Sequence, residues 1–409
     1  MQIYRFFIKK QRKITEKPLS LHRKPHFPDM KIVIAIDSFK GCLTSAEANH
    51  AAAEAIRSCI PDAQIVELPV SDGGEGWLTP FIERLGWNSV ECIVHDPLNR
   101  PVRALYATKG HRAAIEIAQA CGLTLLSPDE RNPLVATTRG VGEIIVHAVE
   151  HGSSEFIIGL GGSATSDAGR GMVSVLREKG VIGKSSHLHF TIATDVRNPL
   201  CGPQGAAHVF APQKGATPEM VRQLDQRAQE FAQESARQLG HDLSNAPGAG
   251  AAGGLGYAFM QFLNAKSQSG ADLLLDMLQF ETISRDADLI ITGEGHADRQ
   301  TLMGKLPFVV MKRAKNLHYS SENALSTAQK SSQVGRKEGR TILISGRIDD
   351  RDQLLRAGVH EAICINPPHL TTDIAMRKEV AINNIQKSVH ALLIRFSLTA
   401  PHHQCLVLK

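Results

Sequence analysis

Short apolar runs that end at an acid or a glycine recur along this chain of 409 residues, with helix-forming stretches between them. Lys31–Ile36 reads as a buried strand and Asp37–Leu43 as the loop that follows it. Thr44 then caps a helix over Ser45–Ser58, with Glu47 at the capping-box position. Gln64–Leu68 is a second strand, and Ser71–Gly76 a glycine-rich loop. Strand, helix and strand in that order require a crossover, which predicts a parallel sheet with both faces covered.

The texture changes from about Val90. Val90–His95, Val102–Ala107 and Ala113–Ile117 are separated by Pro, Asn and Gly, the pattern of an antiparallel meander. Thr138–Glu150 reads as a helix, Glu155–Ile158 as a strand, Gly159–Gly162 as a tight turn, and Thr191–Ala193 as a strand ending in Thr194-Asp195. Pro218–Leu239 is helical, and Pro247–Gly256 is nearly all Gly and Ala. Leu289–Thr292 resembles the first strand, with Gly293-Glu294-Gly295 at its end. Lys305–Lys315 reads as a helix, Thr341–Ile344 as a strand and Val380–Phe396 as a terminal helix, while polar Asn316–Arg340 reads as a loop or insertion. The expected fold is α/β with two domains. Residues 30–88 and 284–409 form a discontinuous Rossmann-like parallel-sheet domain, interrupted at 89–283 by a second α/β domain with a mixed sheet.

Charge narrows the function classes. Residues 1–29 hold eight Lys/Arg against Glu16 and Asp29, so the net charge of +5 belongs to that segment and the remainder is close to neutral. We read residues 1–29 as a disordered basic leader or a mis-assigned start ahead of Met30. A near-neutral body argues against a nucleic-acid partner, and no apolar run approaches the ~20 residues of a membrane span. Seven cysteines without a Cys-x-x-Cys pair point to free thiols in a reducing, cytoplasmic setting and to no zinc site. The sequence carries no signal for oligomeric state.

Acids and glycines share the loops after strands. The acids are Asp37, Asp72, Glu75, Asp167, Asp195, Glu294 and Asp298; glycine-rich turns follow strands at Gly159–Gly162 and Gly293–Gly295, with Gly73-Gly74 a few residues past another. Glycine lets backbone N–H groups converge on an anion, and carboxylates beside phosphate-cradling glycines suit a Mg²⁺ between them. Lys40, Lys214 and Lys305 lie in the same loops and can neutralise phosphate. Plainer readings exist for each: Asp37 or Asp195 as turn former, Gly248–Gly256 as packing or hinge, Lys305 as a solvated charge. The clustering carries more than any member.

Standard nucleotide signatures do not fit. At Gly183-Lys184-Ser185 a Walker loop would need glycine where Glu178 stands. Gly159-x-Gly161-x-x-Ala164 follows a strand but lacks the acid about 20 residues on. Gly248-x-Gly250-x-x-Gly253 follows Asn245–Pro247 and no strand. A dinucleotide-dependent oxidoreductase of a small hydroxy acid is therefore the alternative from another class.

Taken together the loops resemble the class II glycerate kinases of bacteria. The matching stretches are Asp37-Ser-Phe-Lys-Gly41, Pro69-Val-Ser-Asp-Gly-Gly-Glu-Gly76 and Gly159-Leu-Gly-Gly-Ser-Ala-Thr-Ser-Asp167. Ala193-Thr-Asp-Val-Arg-Asn-Pro-Leu-Cys-Gly-Pro203, Ala211-Pro-Gln-Lys-Gly215 and Pro247–Gly256 follow, and Ile291–Lys305 is last. They keep the family's order and spacing from Met30 to about residue 396. The resemblance implies a two-domain architecture with the active site in the cleft, and phosphorylation of D-glycerate by ATP and Mg²⁺ to 2-phosphoglycerate. Ser71 stands where the family usually has Ala. His296-Ala297 stand where it has Arg and a bulky apolar residue, replacing a permanent bidentate donor with a pH-dependent one. A weakened, glycerate-binding homologue is a further alternative on that ground.

Phosphoryl transfer needs positioning, charge neutralisation and a group that orients the attacking hydroxyl. Asp195 is expected as that base, with Asp72 as the alternative or as a Mg²⁺ ligand. Lys40 and Lys214 are expected to bind the substrate carboxylate or the transferring phosphoryl group. Gly161, Gly162 and Ser163 would cradle nucleotide phosphates, with Gly73, Gly74 and Gly293 in the cofactor-binding set. Glu294 and Asp298 would hold metal or ribose.

Overall fold

The computed structural model describes residues 30–183, 187–299, 301–325 and 339–399. The basic segment 1–29, residues 326–338 of the polar stretch and the tail beyond 399 lie outside the described residues. In chain order the strands are β1 (Lys31–Ile36), β2 (Gln64–Glu67), β3 (Asn88–His95), β4 (Pro101–Lys109), β5 (Arg112–Glu116) and β6 (Glu155–Gly159). They continue as β7 (His189–Ala193), β8 (Lys266–Gln268), β9 (Leu289–Ala297), β10 (Arg340–Ile348) and β11 (Glu361–Cys364).

These strands form two sheets. The first has the order β11-β10-β9-β1-β2 and is parallel throughout. The second runs β3-β4-β5-β6-β7-β8, antiparallel from β3 to β5 and parallel from β5 to β8. This is an α/β fold with one parallel and one mixed sheet.

The period of two along β1 explains how the sheets come together. Ile32, Ile34 and Ile36 pack with Ala52 and Ile56 of the helix Ser45–Cys59 and with Val389 and Leu392 of the helix Lys378–Thr399. Val33 and Ala35 join a different core, with Trp77, Phe81, Leu274 and Val310. Ala114, Ile157 and Ala193 of the second sheet enter that same core. Trp77 and Phe81 are fully buried and meet edge to face, with ring centroids 5.3 Å apart. Each contributes about 1.5–3 kcal/mol through burial, so the sheets share one apolar seam.

The end of β1 is fixed by two polar side chains of the next helix. Ser45 Oγ donates to the Ile36 carbonyl at 2.6 Å and accepts the Val70 N–H at 2.9 Å. The buried Asn49 donates to the Ile36 carbonyl at 2.9 Å and accepts its N–H at 3.2 Å. Ser45 thus ties the strand end before Asp37 to the loop that carries Asp72. The capping box forms as the sequence predicts, with Glu47 N–H on Thr44 Oγ1 at 3.2 Å.

Two expectations need correction. Gly293-Glu294-Gly295 is not a turn, because β9 continues to Ala297, paired with β10 as far as Ile348. A Cβ on Gly293 would overlap the Ile344 carbonyl oxygen, so glycine there serves strand packing. Asn316–Leu325 is helical, the extension of Leu306–Leu325 beyond the expected end at Lys315.

Candidate active site

The chain leaves β1 for β2 on one side and returns on the other at β9, so strand order reverses between β1 and β9. In open α/β sheets, ligands sit at the carboxyl ends of the strands beside such a reversal. Asp37 stands there. Its N–H donates to the Gly293 carbonyl at 2.9 Å, and its Oδ1 accepts the Ser38 N–H at 2.7 Å. Lys40 follows in the tight turn closed by Leu43 N–H on the Phe39 carbonyl at 3.0 Å. Asp72 enters from the loop after β2, and Glu294 from β9.

These residues line a cavity of about 600 Å³ together with Lys305. Its electrostatics are unbalanced toward acid. Burial, then the Asp72 charge, hold the Asp37 carboxyl well above its ordinary range. Burial also raises Glu294, against the Thr301 hydroxyl, which donates to Oε1 at 2.6 Å, and Lys305 at 3.6 Å from Oε2. Asp72, Asp37 and Glu294 in turn raise the Lys40 ammonium. Asp298 lies behind Lys305, 3.7 Å away, and takes Thr301 N–H on Oδ1 at 3.3 Å. Lys305 is therefore an ion-paired group of the cavity floor. The outer wall is apolar, with Phe39, Pro368, Leu370 and Met376, the last 45% exposed.

Asp195 opens into a neighbouring cleft of about 790 Å³ between the end of β7, β8 and the helix Leu306–Leu325. Burial pushes its carboxyl up to about 6, with the charges of Asp72 and Asp272 adding and the Ser269 hydroxyl and Gly270 N–H opposing. Its Oδ2 is buried without a hydrogen-bond partner among the described residues. Asp72 thus acts electrostatically on Asp37 in one cavity and on Asp195 in the next.

The glycine-rich loops meet backbone to backbone. A Cβ on Gly161 would overlap Gly74 Cα, and one on Gly73 would lie 2.8 Å from the Ala193 carbonyl oxygen. Gly162 has φ +73° and its carbonyl accepts the Leu123 N–H at 2.8 Å. Behind this loop, Lys214 is buried, donating from Nζ to Ser163 Oγ at 2.9 Å and to the Thr165 carbonyl at 2.6 Å. Burial brings its amine down to about 8. Lys214 and Ser163 form one buried unit and line neither cavity. Asp167 binds Thr138 N–H at 2.9 Å, Thr138 Oγ1 at 2.8 Å and Gly171 N–H at 3.1 Å, a structural anchor for the following helix.

His296 lines the smaller cavity, and its Nε2 bonds Asp349 Oδ2 at 2.8 Å. Arg347 Nε holds the other Asp349 oxygen at 2.7 Å. The sequence reading missed Arg347 near the end of β10, Asp349 just beyond that strand and Ser269 directly after β8. It also missed Glu116, although one acid within apolar Ala113–Ile117 was a signal.

A two-sheet α/β fold that gathers Lys40, Lys305 and clustered acids in one cavity at the strand ends suits a small-molecule kinase, a transferase. The model of the glycerate kinase family matches residues 32–181 and 177–395. The glycerate kinase of Bacillus subtilis strain 168 is 42% identical over 314 residues, covering 70% of this chain and 82% of its own. Glycerate 2-kinase of Escherichia coli K12 is 39% identical over 316 residues, covering 71% and 83%. A crystal structure from Salmonella typhimurium LT2, described as a candidate glycerate kinase 2, superposes with a TM-score of 0.70 at 34% identity over 90% of this chain and 99% of that one. The chain belongs to the glycerate kinase family. None of its described helices is long and apolar enough to cross a membrane.

Proposed function

We propose that this protein is an ATP-dependent glycerate 2-kinase, transferring the γ-phosphoryl group of ATP to the 2-hydroxyl of D-glycerate. The observation that carries the reading is Asp72, whose charge acts on the acid–lysine cavity and on Asp195 in the adjoining cleft. The family match and the relative named glycerate 2-kinase support the substrate and the position.

In this reading the smaller cavity takes the nucleotide. Phe39, Pro368, Leu370 and Met376 offer an apolar wall to the purine, and Lys40 and Lys305 face the phosphates. Glycerate lies beside Asp195, which accepts the proton of the attacking hydroxyl or orients it. Lys214 and Ser163 stiffen the Gly161-Gly162 loop from behind, and that loop in turn holds Gly73-Gly74 beside Asp72. The acid excess around Asp37 suits a cation. Mg²⁺ takes one or two protein carboxylates and completes its shell with phosphate and water. Asp72 and Glu294 would hold it, and it would supply charge neutralisation of the phosphates. Excluding water from the cleft protects the phosphoryl group from hydrolysis. The protein would act in the cytoplasm on small molecules.

The test is an assay with ATP, D-glycerate and Mg²⁺, coupled to enolase directly or through a phosphoglycerate mutase. Signal with enolase alone is expected. Signal only through the mutase would move the phosphoryl group to the 3-position. Glycerate binding by folded protein without turnover in either assay would overturn the kinase reading and leave a weakened homologue. Protection by NAD(P)H in a thermal shift would favour the oxidoreductase.

A further inference from the structure

Glu116 is a buried carboxylate outside the chemistry described above. It ends β5, in register with Gly159 of β6, and is 3% exposed. Its strand neighbours Ala113, Ala114 and Ile115 are fully buried apolar residues. A carboxylate in such a place is costly unless it is hydrogen-bonded.

Its bonds to the backbone converge on one short stretch. Oε1 accepts the Gly76 N–H at 3.3 Å, and Oε2 accepts the Leu78 N–H at 3.4 Å. Those amides directly follow Asp72-Gly73-Gly74-Glu75 and open the helix Leu78–Glu83. Gly76 has φ +83°, a conformation natural to glycine. Trp77, between them, is fully buried against Gly159, where a Cβ would lie 2.7 Å from the indole. Glu116 and Gly159 thus grip the turn and its Trp77 from the second sheet, while Ser45, bonded to the end of β1, holds the same loop at Val70.

We propose that Glu116 is a positioning residue: its two oxygens lock the Gly76–Leu78 turn to the second sheet and so hold Asp72 and Gly73-Gly74 toward Asp37 and Asp195. The consequence for catalysis rests on the kinase reading above. Ionised, Glu116 accepts from both amides. Protonated, it keeps one acceptor oxygen and turns an O–H toward an N–H, so one bond is lost. Burial pushes this carboxyl up to about 7; the Leu78 and Gly76 amides and Gln119 oppose that, and the charge of Glu75, facing it from the loop, adds to it.

Glu116→Gln in the full chain copies the protonated state. We expect kcat to fall about ten-fold or more with KM for glycerate changed less than about three-fold. We expect amide exchange across residues 71–78 to quicken about ten-fold while β4 is unchanged. A lowered thermal midpoint with kcat intact would overturn the proposal, as would unchanged exchange. If no glycerate is phosphorylated, the kinase reading fails while the exchange comparison still decides whether Glu116 holds the turn.

Discussion

Gly161 donates its backbone N–H to the Gly73 carbonyl at 2.8 Å, and this bond joins the two sheets at the loops that carry the candidate site. Side chains are excluded from the contact, which is why both loops are glycine-rich where they cross. Gly161→Ala would press a methyl group into Gly74 Cα. Overpacking of this kind costs about 1–3 kcal/mol. We expect a lower midpoint in chemical denaturation and a kcat reduced more than stability alone explains, because Asp72 moves with Gly73. Wild-type turnover in a folded Gly161→Ala protein would separate the contact from the chemistry.

Asp195→Asn removes the proposed base. Turnover is expected to fall about 10²- to 10⁴-fold. With its carboxyl near 6, Asp195 is ionised above that pH and protonated below it. The wild-type rate should therefore decline as pH falls through about 6, and the substituted enzyme should lose that limb. A near-normal rate in Asp195→Asn would hand the role to Asp72.

Lys214→Met tests a buried charge. The amine titrates at about 8 in the fold against 10.5 when free. Between those values the unfolded chain binds more protons, so this group makes stability rise with pH; below about 8 the full penalty of the buried charge is present. The shift corresponds to about 3 kcal/mol as an upper figure. Urea titrations at about pH 7 and pH 10 should show Lys214→Met lacking this component, with activity strongly reduced because Ser163 and the Thr165 carbonyl lose their donor. An equal pH response in both proteins would contradict the assigned titration.

Leu370→Trp narrows the apolar wall of the smaller cavity. The KM for ATP is expected to rise about ten-fold with that for glycerate little changed. A rise for glycerate alone would exchange the two cavities.

His296 is engaged by Asp349 at the cavity rim. His296→Ala is expected to cost less than about ten-fold in kcat/KM, whereas Asp72→Asn should cost about 100-fold or more. Steady-state kinetics of the two variants would rank the rim against the centre.

Much of the fold was legible because its signals are local. Alternating apolar residues, the Thr44–Glu47 box and the breaks around Pro101 and Gly110 fix strands and helices before any tertiary contact is considered. Gly293 misled because glycine after an apolar run has the same letters in a turn as in a strand pressed against Ile344. The polarity of Asn316–Leu325 suggested a loop, yet the helix that begins at Leu306 continues through it. In the site, acids after strands were visible one by one. That the Asp72 charge acts on acids in both cavities, that Lys214 is buried, and that Glu116 grips a distant turn all depend on loops brought together by the tertiary fold, which no spacing along the chain encodes.

The pairing of β1 with β9 has a temporal side. Thr292 Oγ1 donates to the Ala35 carbonyl across 257 positions of sequence. At roughly 5–20 residues per second of synthesis, β1 waits on the order of 10–50 s for that partner to be made. Throughout that interval the strand offers an open edge, and the whole second sheet is translated before the first can close. Assembly of the nascent chain is therefore expected to begin with the sheet that starts later, leaving the earliest strand as the segment most in need of chaperone cover.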